Sequence, residues 1–223
     1  LFFLFCQIIT IALGYNNNEG IMFNKWIVLA CFAFMGSLAA ETKVLAIAGS
    51  TRADSYNKKL IKEAAEMARQ MGATVTVIDL GEYPIPLYEG DLEAKQGMPP
   101  NAKKLRQLMV GSKAIIIASP EHNASVPAIL KNVLDWTSRS EDGKKSRDAY
   151  AGKKIAIMSA SPGRGGGARA LVHLRAIIQD AGGEVIAKQV SIPNANTAFS
   201  AQGQLQNAAL RQELNQEISQ LLH

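Results

Sequence analysis

The chain has 223 residues, enough for one ordinary domain plus an appendage and for a core that needs no covalent staple. Hydrophobic residues make up 48% and charged residues 19%, which excludes a disordered or collagen-like chain. The net charge of +5 comes without a dense Lys/Arg run carrying interleaved aromatics, so no nucleic-acid partner is expected; a mildly basic surface suits phosphorylated small molecules or simple solvation.

The first forty residues form a separate apolar extension. Leu1–Leu13 is apolar apart from Gln7 and Thr10, and an Asn-rich stretch follows. Met22 opens a second unit: Lys25, an apolar run from Trp26 to Met35, then small residues to Ala40. A short basic start, an apolar middle and a small-residue end are the parts of a secretory signal peptide, with cleavage expected after Ala39 or Ala40. Met22 is read as the initiator and Leu1–Ile21 as upstream translation. An uncleaved anchor and an unstructured extension stay open as alternatives, and Val28-Leu-Ala-Cys31 is an imperfect lipobox. Neither apolar run reaches the roughly 20 residues that span a bilayer. Both cysteines, Cys6 and Cys31, fall here, so the remainder carries no disulfide, no Cys-based zinc site and no Cys nucleophile. The three histidines, His122, His173 and His223, are too scattered for a metal motif.

From residue 41 onward strand and helix patterns alternate. Lys43–Gly49, Thr74–Leu80, Ala114–Ser119, Lys154–Ser159 and Glu184–Ile192 are aliphatic runs of strand length. Asn57–Met71 carries one apolar face at helical spacing and stops at Gly72. Tyr83–Pro100 holds four prolines and reads as a loop with at most one turn. Helices are predicted over Ala102–Val110, over Val126–Thr137 with Pro127 in its first turn, over Ala168–Ala181 before Gly182-Gly183, and over Leu205–Leu222. Five strands separated by helices predict a three-layer α/β domain with a five-stranded, parallel, doubly wound sheet. Ligands of such sheets sit beyond the carboxyl ends of the strands, where the strand order reverses.

Three loops at those ends are unusual. Gly49-Ser50-Thr51-Arg52-Ala53-Asp54-Ser55-Tyr56-Asn57 offers hydroxyls, an arginine and the amides of a helix N-terminus, the parts of an anion cradle. It lacks the Gly-Lys-Ser/Thr of a Walker loop, and an N-cap by Ser55 beside a solvated Arg52 is the plainer alternative. Ser119-Pro120-Glu121-His122-Asn123-Ala124-Ser125-Val126-Pro127 is polar and pinned by two prolines, with Glu121, His122 and Asn123 placed to face the crevice. Ser159–Gly167 has four glycines within its last five positions, which permit close backbone approach to a flat ligand or, more plainly, make a flexible link.

Together these loops resemble the NADPH-dependent FMN reductase family of the flavodoxin-like superfamily, which includes chromate and quinone reductases and some azoreductases. The residues carrying the likeness are Gly49-Ser50-x-Arg52-x-x-Ser55-x-Asn57, then Pro120-Glu-His-Asn-x-Ser125-x-Pro127 with Leu130-Lys-Asn132 and Asp135-Trp136, then Ser161-Pro-Gly163 with Gly165-Gly-Gly167. Ala168–Ala170 and His173–Arg175 extend it, so that it runs from about Lys43 to Val190. The resemblance implies a flavodoxin-like, FMN-binding reductase domain over residues 41–223. It implies FMN held at the phosphate by Ser50, Arg52, Ser55 and Asn57, lined by Pro120, Glu121, His122 and Asn123, and approached by Ser161, Gly163, Gly165 and Gly166. The implied activity is NAD(P)H-dependent reduction of flavin, quinone or a similar acceptor by ping-pong hydride transfer, with no catalytic side chain, in a homodimer or homotetramer. The segment Leu130–Arg139, with an exposed Trp136, is the expected subunit contact; the alternative, equally open, is that Trp136 caps the core. A non-enzymatic electron carrier is the alternative, although such carriers are typically acidic; an exported flavoprotein reduced by a partner is another. His122 departs from the family's usual tyrosine, and the signal-like segment departs from its soluble members.

Overall fold

A computed structural model describes residues 41–223; the apolar extension, with its signal-like segment, both cysteines and Met22, lies outside the described residues. Four strands form where the aliphatic runs predict them: β1 (Lys43–Ala48), β2 (Thr74–Asp79), β3 (Ala114–Ala118) and β4 (Lys154–Ala160). β3 is buried along its whole length, whereas β2 exposes Thr74 and Thr76 as an edge strand does. The fifth strand differs from expectation. It is broken into β5 (Glu184–Val185) and β6 (Val190–Ile192), both paired with β4. All pairings are parallel and the order is β2-β1-β3-β4-β5, the flavodoxin-like order, with β6 continuing the edge beside β4.

The helices are α1 (Tyr56–Gln70), α2 (Gly90–Gln96), α3 (Pro100–Val110), α4 (Ala128–Thr137), α5 (Ala168–Asp180), the short α6 (Ala195–Ala198) and α7 (Ala208–Leu222). α2 lies in the segment expected to be a loop with one turn. The Glu89 carboxylate caps it by accepting from the N–H groups of Asp91 and Leu92 at 2.8 and 2.7 Å. α7 starts three residues later than predicted. Asn207 caps it through Leu210 N–H, and Phe199 and Leu205 are drawn instead into an antiparallel bridge. No helix among the described residues is long and apolar enough to cross a membrane.

Alternation along the central strands divides the interior into two cores. On one face Val44, Ala46 and Ala48 of β1 and Ala114, Ile116 and Ala118 of β3 meet α1 and α7. α1 itself presents Ala64, Ala65 and Ala68, so small residues on both partners let this helix lie close to the sheet. On the other face Leu45, Ile47, Ile115 and Ile117 pack larger side chains against α3, α4 and α5.

The Asn132/Trp136 pair has a structural task. One helical turn apart on α4, both reach the proline-rich segment before α2. Asn132 Nδ2 and Trp136 Nε1 donate to Pro86 O at 3.0 and 2.9 Å, and Asn132 Oδ1 accepts from Tyr88 N–H at 2.8 Å. Tyr88 packs edge-on against Trp136, ring centroids 5.0 Å apart. Trp136 is therefore fully buried, and the exposed tryptophan expected at a subunit contact is corrected: its indole is occupied by its own chain. Trp136→Ala is expected to cost about 3–5 kcal/mol of folding stability, as large-to-small changes at buried aromatics do, measured by urea denaturation; a change below about 1 kcal/mol would show that the indole does not staple this segment.

Candidate functional site

The chain leaves β1 toward β2 on one side and reaches β3 on the other, so the strand order reverses between β1 and β3. At the carboxyl ends of β1, β3 and β4 the three loops enclose a cleft of about 320 Å³, within the usual range for small-molecule sites. Ser50, Arg52, Ser55 and Asn57 line one wall; Pro120, Glu121 and His122 line another; Ser161 completes it. Asn123, Gly163, Gly165 and Gly166 are not brought to its walls. Thr51, Tyr56, Pro127, Ile129 and Pro162 are, although the sequence pattern does not mark them as ligands. The clearest missed signal is Tyr56, an aromatic at the first helical position after the anion loop. Its ring stacks near Phe199 at 6.4 Å, with the Arg52 guanidinium 5.7 Å and Lys59 Nζ 5.4 Å from its centre.

The first loop is built to receive an anion. α1 has no acidic residue in its first turn, and the Ser55 side chain does not cap it. Among the described residues no acceptor takes the N–H groups of Ser55, Tyr56 and Asn57, which leaves the positive end of the helix dipole open to the cleft. Ser50 Oγ accepts from Arg52 N–H, tightening the turn. The exposed Arg52 guanidinium rests on Asp54 O, and Lys59 neutralises the nearby Asp54 carboxylate at 2.7 Å. The hydrogen bond from Lys59, followed by its charge, holds that carboxyl below its ordinary range.

Asn57 is the exception among the four phosphate-loop residues. Its buried amide makes a closed pair with the backbone of Ala160: Nδ2 donates to Ala160 O at 2.9 Å, and Oδ1 accepts from Ala160 N–H at 3.0 Å. This pair ties the first loop to the end of β4 and uses one of the two Nδ2 hydrogens, while Asn57 also lines the cleft wall.

Glu121 is likewise engaged. Arg169 forks onto its carboxylate through Nε and a terminal nitrogen, and the Arg169 backbone N–H donates to Oε2 at 3.1 Å. That hydrogen-bonded guanidinium, against a smaller cost of burial, holds the Glu121 carboxyl below its usual range. Glu121 thus caps the first turn of α5, and the single acidic residue on the cleft wall faces a cation of its own chain. His122 and Ser125 exchange both backbone hydrogen bonds at 2.9 and 3.0 Å across a two-residue turn. Asn123 and Ala124 there have φ of 49° and 64°, a conformation asparagine tolerates and alanine adopts at a cost of about 1–2 kcal/mol. The turn exposes His122 at the cleft rim and carries Asn123 away into a neighbouring hollow with Ser125, Lys131 and His173.

The glycines of the third loop serve packing. A Cβ on Gly166 would lie 2.9 Å from the Ile192–Pro193 backbone, and one on Gly167 only 1.8 Å from Ser159 Oγ. Both have positive φ. These two glycines approach β6 and β4 closely, while Gly163 and Gly165 face more open space.

A profile of the family described as NADPH-dependent FMN reductase matches residues 42–197. The chain belongs to this family. It is 35% identical over 185 residues to an NAD(P)H-dependent FMN reductase of Pseudomonas aeruginosa, covering 82% of this chain and 95% of that one. It is 32% identical to a quinone reductase of Escherichia coli K12, over 63% of this chain and 71% of that protein. Among solved structures, the flavoenzyme NAD(P)H:(acceptor) oxidoreductase FerB of Paracoccus denitrificans superposes with a TM-score of 0.68 at 25% identity, over 81% of this chain and 97% of that one. An NADH:FMN oxidoreductase at 21% identity and a TM-score of 0.58 shares the fold.

The geometry separates two kinds of loss at the cleft. Arg52→Ala is expected to weaken a bound phosphate by about 1.5–3 kcal/mol, the worth of a charge-assisted hydrogen bond, without changing the melting temperature. Asn57→Ala is expected to lower both affinity and melting temperature, because it leaves the buried Ala160 N–H and C=O unpaired. Titration calorimetry with FMN and thermal unfolding distinguish the two, and an Arg52 variant of unchanged affinity would remove Arg52 from the site.

Proposed function

We propose that the cleft binds FMN and that the protein is an NAD(P)H-dependent oxidoreductase that reduces flavin, quinone or similar small acceptors. The observation that carries the reading is the uncapped N-terminus of α1 opening, beside Arg52, into a cleft whose one acidic residue is already paired with Arg169. A dianionic phosphate fits that donor set: free backbone N–H groups, the hydroxyls of Ser50, Thr51 and Ser55, and one guanidinium. The Pro120–His122 wall and Ser161–Pro162 are the surfaces proposed to flank the rest of the cofactor, with Tyr56 and Ile129 supplying apolar contact. Bound there, the flavin supplies the hydride chemistry, so that binding and orientation are what the chain's own residues contribute. NAD(P)H and the acceptor are proposed to use the cleft mouth in turn, on the side bordered by His122. The relatives named for FMN and quinone reduction support this reading over that of a non-enzymatic carrier.

Assembly as a homodimer or homotetramer is also proposed. With Trp136 buried, the surface available is the outward side of α4 together with α5, where Val172 is 63% exposed. Residues 22–40 are proposed as a signal-like segment.

Purified protein is expected to be yellow with one FMN per chain, to oxidise NADPH or NADH, and to do so faster when quinone is added. Failure to oxidise either nucleotide while holding FMN would favour the carrier. Light scattering at micromolar concentration is expected to give a dimer or tetramer; a monomer would defeat the assembly proposal.

A further inference from the structure

Glu217, in α7, is fully buried, and among the described residues neither carboxyl oxygen has a hydrogen-bond partner. It sits where the sheet edge is broken. β4 pairs Ile155 with Val185 and then Met158 with Val190. Four residues, Ile186–Gln189, therefore lie opposite two, Ala156 and Ile157. Ile155 O accepts from Ile186 N–H, so the backbone of Ile157, two residues on, points to this same edge, into the interruption. α7 packs against β4 and β6, so that the backbone of Ile157 and Val190 lies beside the Glu217 carboxyl. From the opposite face of the sheet, Arg175 of α5 donates to Val185 O, Ile186 O and Gln189 Oε1 at 3.2, 3.0 and 2.9 Å. The bulge is thus clamped by an arginine on one side, and a buried carboxyl lies on the other.

Beyond the bulge, β6 and the residues after it are bonded to the third loop of the cleft. Ser161 N–H donates to Ile192 O at 3.1 Å, and Ala195 N–H donates to Ser161 O at 3.0 Å. Gly166 leaves no room for a Cβ against Ile192–Pro193. A displacement of β6 must therefore move Ser161 and its neighbours.

We propose that the uncharged Glu217 carboxyl fills the break between β5 and β6, that it thereby positions β6 and the Ser161–Gly167 loop, and that its ionisation releases them. The part that concerns the cofactor rests on the flavin reading above. A carboxylate buried without hydrogen bonds is far costlier than a neutral carboxyl, which needs only modest compensation. Burial pushes Glu217 up to about 8, against the opposing pull of Lys188, the Val190 and Ile157 amides, and Arg175. Of the other charged groups on the elements packed here, Glu63 of α1 has Arg211 of α7 at 3.2 Å, and Arg175 is spent on the three bulge acceptors. Lys188 belongs to the bulge itself, where its N–H donates to Gln220 Oε1 of α7 at 3.0 Å. The folded value lies above the ordinary 4.5, so the folded state keeps its full advantage below about pH 4.5 and loses it progressively as the pH climbs to about 8.

The test compares the parent chain with Glu217→Gln, which keeps the volume and cannot ionise. Urea unfolding without ligand, from pH 5 to 9, is expected to show the folded-to-unfolded ratio shifting at least tenfold in favour of the variant, with a plateau above about pH 8. Parallel stability curves would overturn the proposal. Should the variant not fold, hydrogen exchange on the parent decides: protection of the Ile157 and Val190 amides is expected to fall at least tenfold between pH 6 and 9 relative to the β1 amides, and a constant ratio would overturn it. In a third arm, FMN affinity of the parent is expected to weaken at least fivefold more than that of the variant from pH 6.5 to 9; the phosphate's own titration is common to both. Equal slopes would sever β6 from the site. Failure of FMN to bind either protein at any pH would sink the flavin reading alone, while the unfolding and exchange arms still decide the role of Glu217.

Discussion

Two hydrogen bonds between Asn57 and Ala160 join parts of the chain 103 residues apart, and the cleft depends on them. One amide satisfies both the N–H and the C=O at the last residue of β4, where β3 has already ended while β6 still pairs on the other side. The same residue lies in the first turn of α1, so the pair sets the distance between the anion loop and the third loop. With that distance held, the free amides of α1 face Ser161 across a gap of ligand size. Without it, two loops from separate βα units would be related only through the sheet beneath them.

Around this tie the remaining polar residues of the three loops satisfy one another before they meet a ligand. Glu121 caps α5 with Arg169 held against it, and His122 and Ser125 close a tight turn through backbone bonds. Asn132 and Trp136 hold the proline-rich segment against α4. Much of what is shared in motif with flavin reductases is thus scaffold: residues that fix where backbone amides and a few hydroxyls point. This matches the chemistry assigned to the site. A redox cofactor that does its own chemistry asks the protein for placement, and placement comes from buried amides and capped helices more than from reactive side chains.

The sheet edge obeys different rules from its centre. β1, β3 and β4 are flanked on both sides, so their pairing tolerates no extra residue. β5 and β6 have a free side, which lets two surplus residues bow outward at Ile186–Gln189. The bow then leaves backbone groups facing the interior, and Arg175 and Glu217 lie against them from opposite faces. This broken edge also carries the third loop's anchor at Ile192.

Hydrophobic period alone determined the layer order, the parallel sheet and most helix boundaries. Continuous aliphatic runs such as Ala114–Ala118 are stable only when covered on both faces, and an apolar stripe like that of α1 only when laid against a sheet. The three loops were legible as well, because glycine, proline and hydroxyl residues after buried strands have few other uses. The direction in which each side chain is satisfied was not legible. Asn57 reads as a phosphate ligand, Glu121 as a cleft-facing acid and Gly166 as room for a ligand, and Trp136 is open between surface and core; each has a partner in its own chain that the local sequence does not name. Local sequence states what hydrogen bonds and contacts a residue is able to make. Which partner it meets depends on segments up to a hundred residues away, and only the folded arrangement brings Ala160 to Asn57, Arg169 to Glu121, Pro86 to Trp136 and the broken edge of the sheet to Glu217.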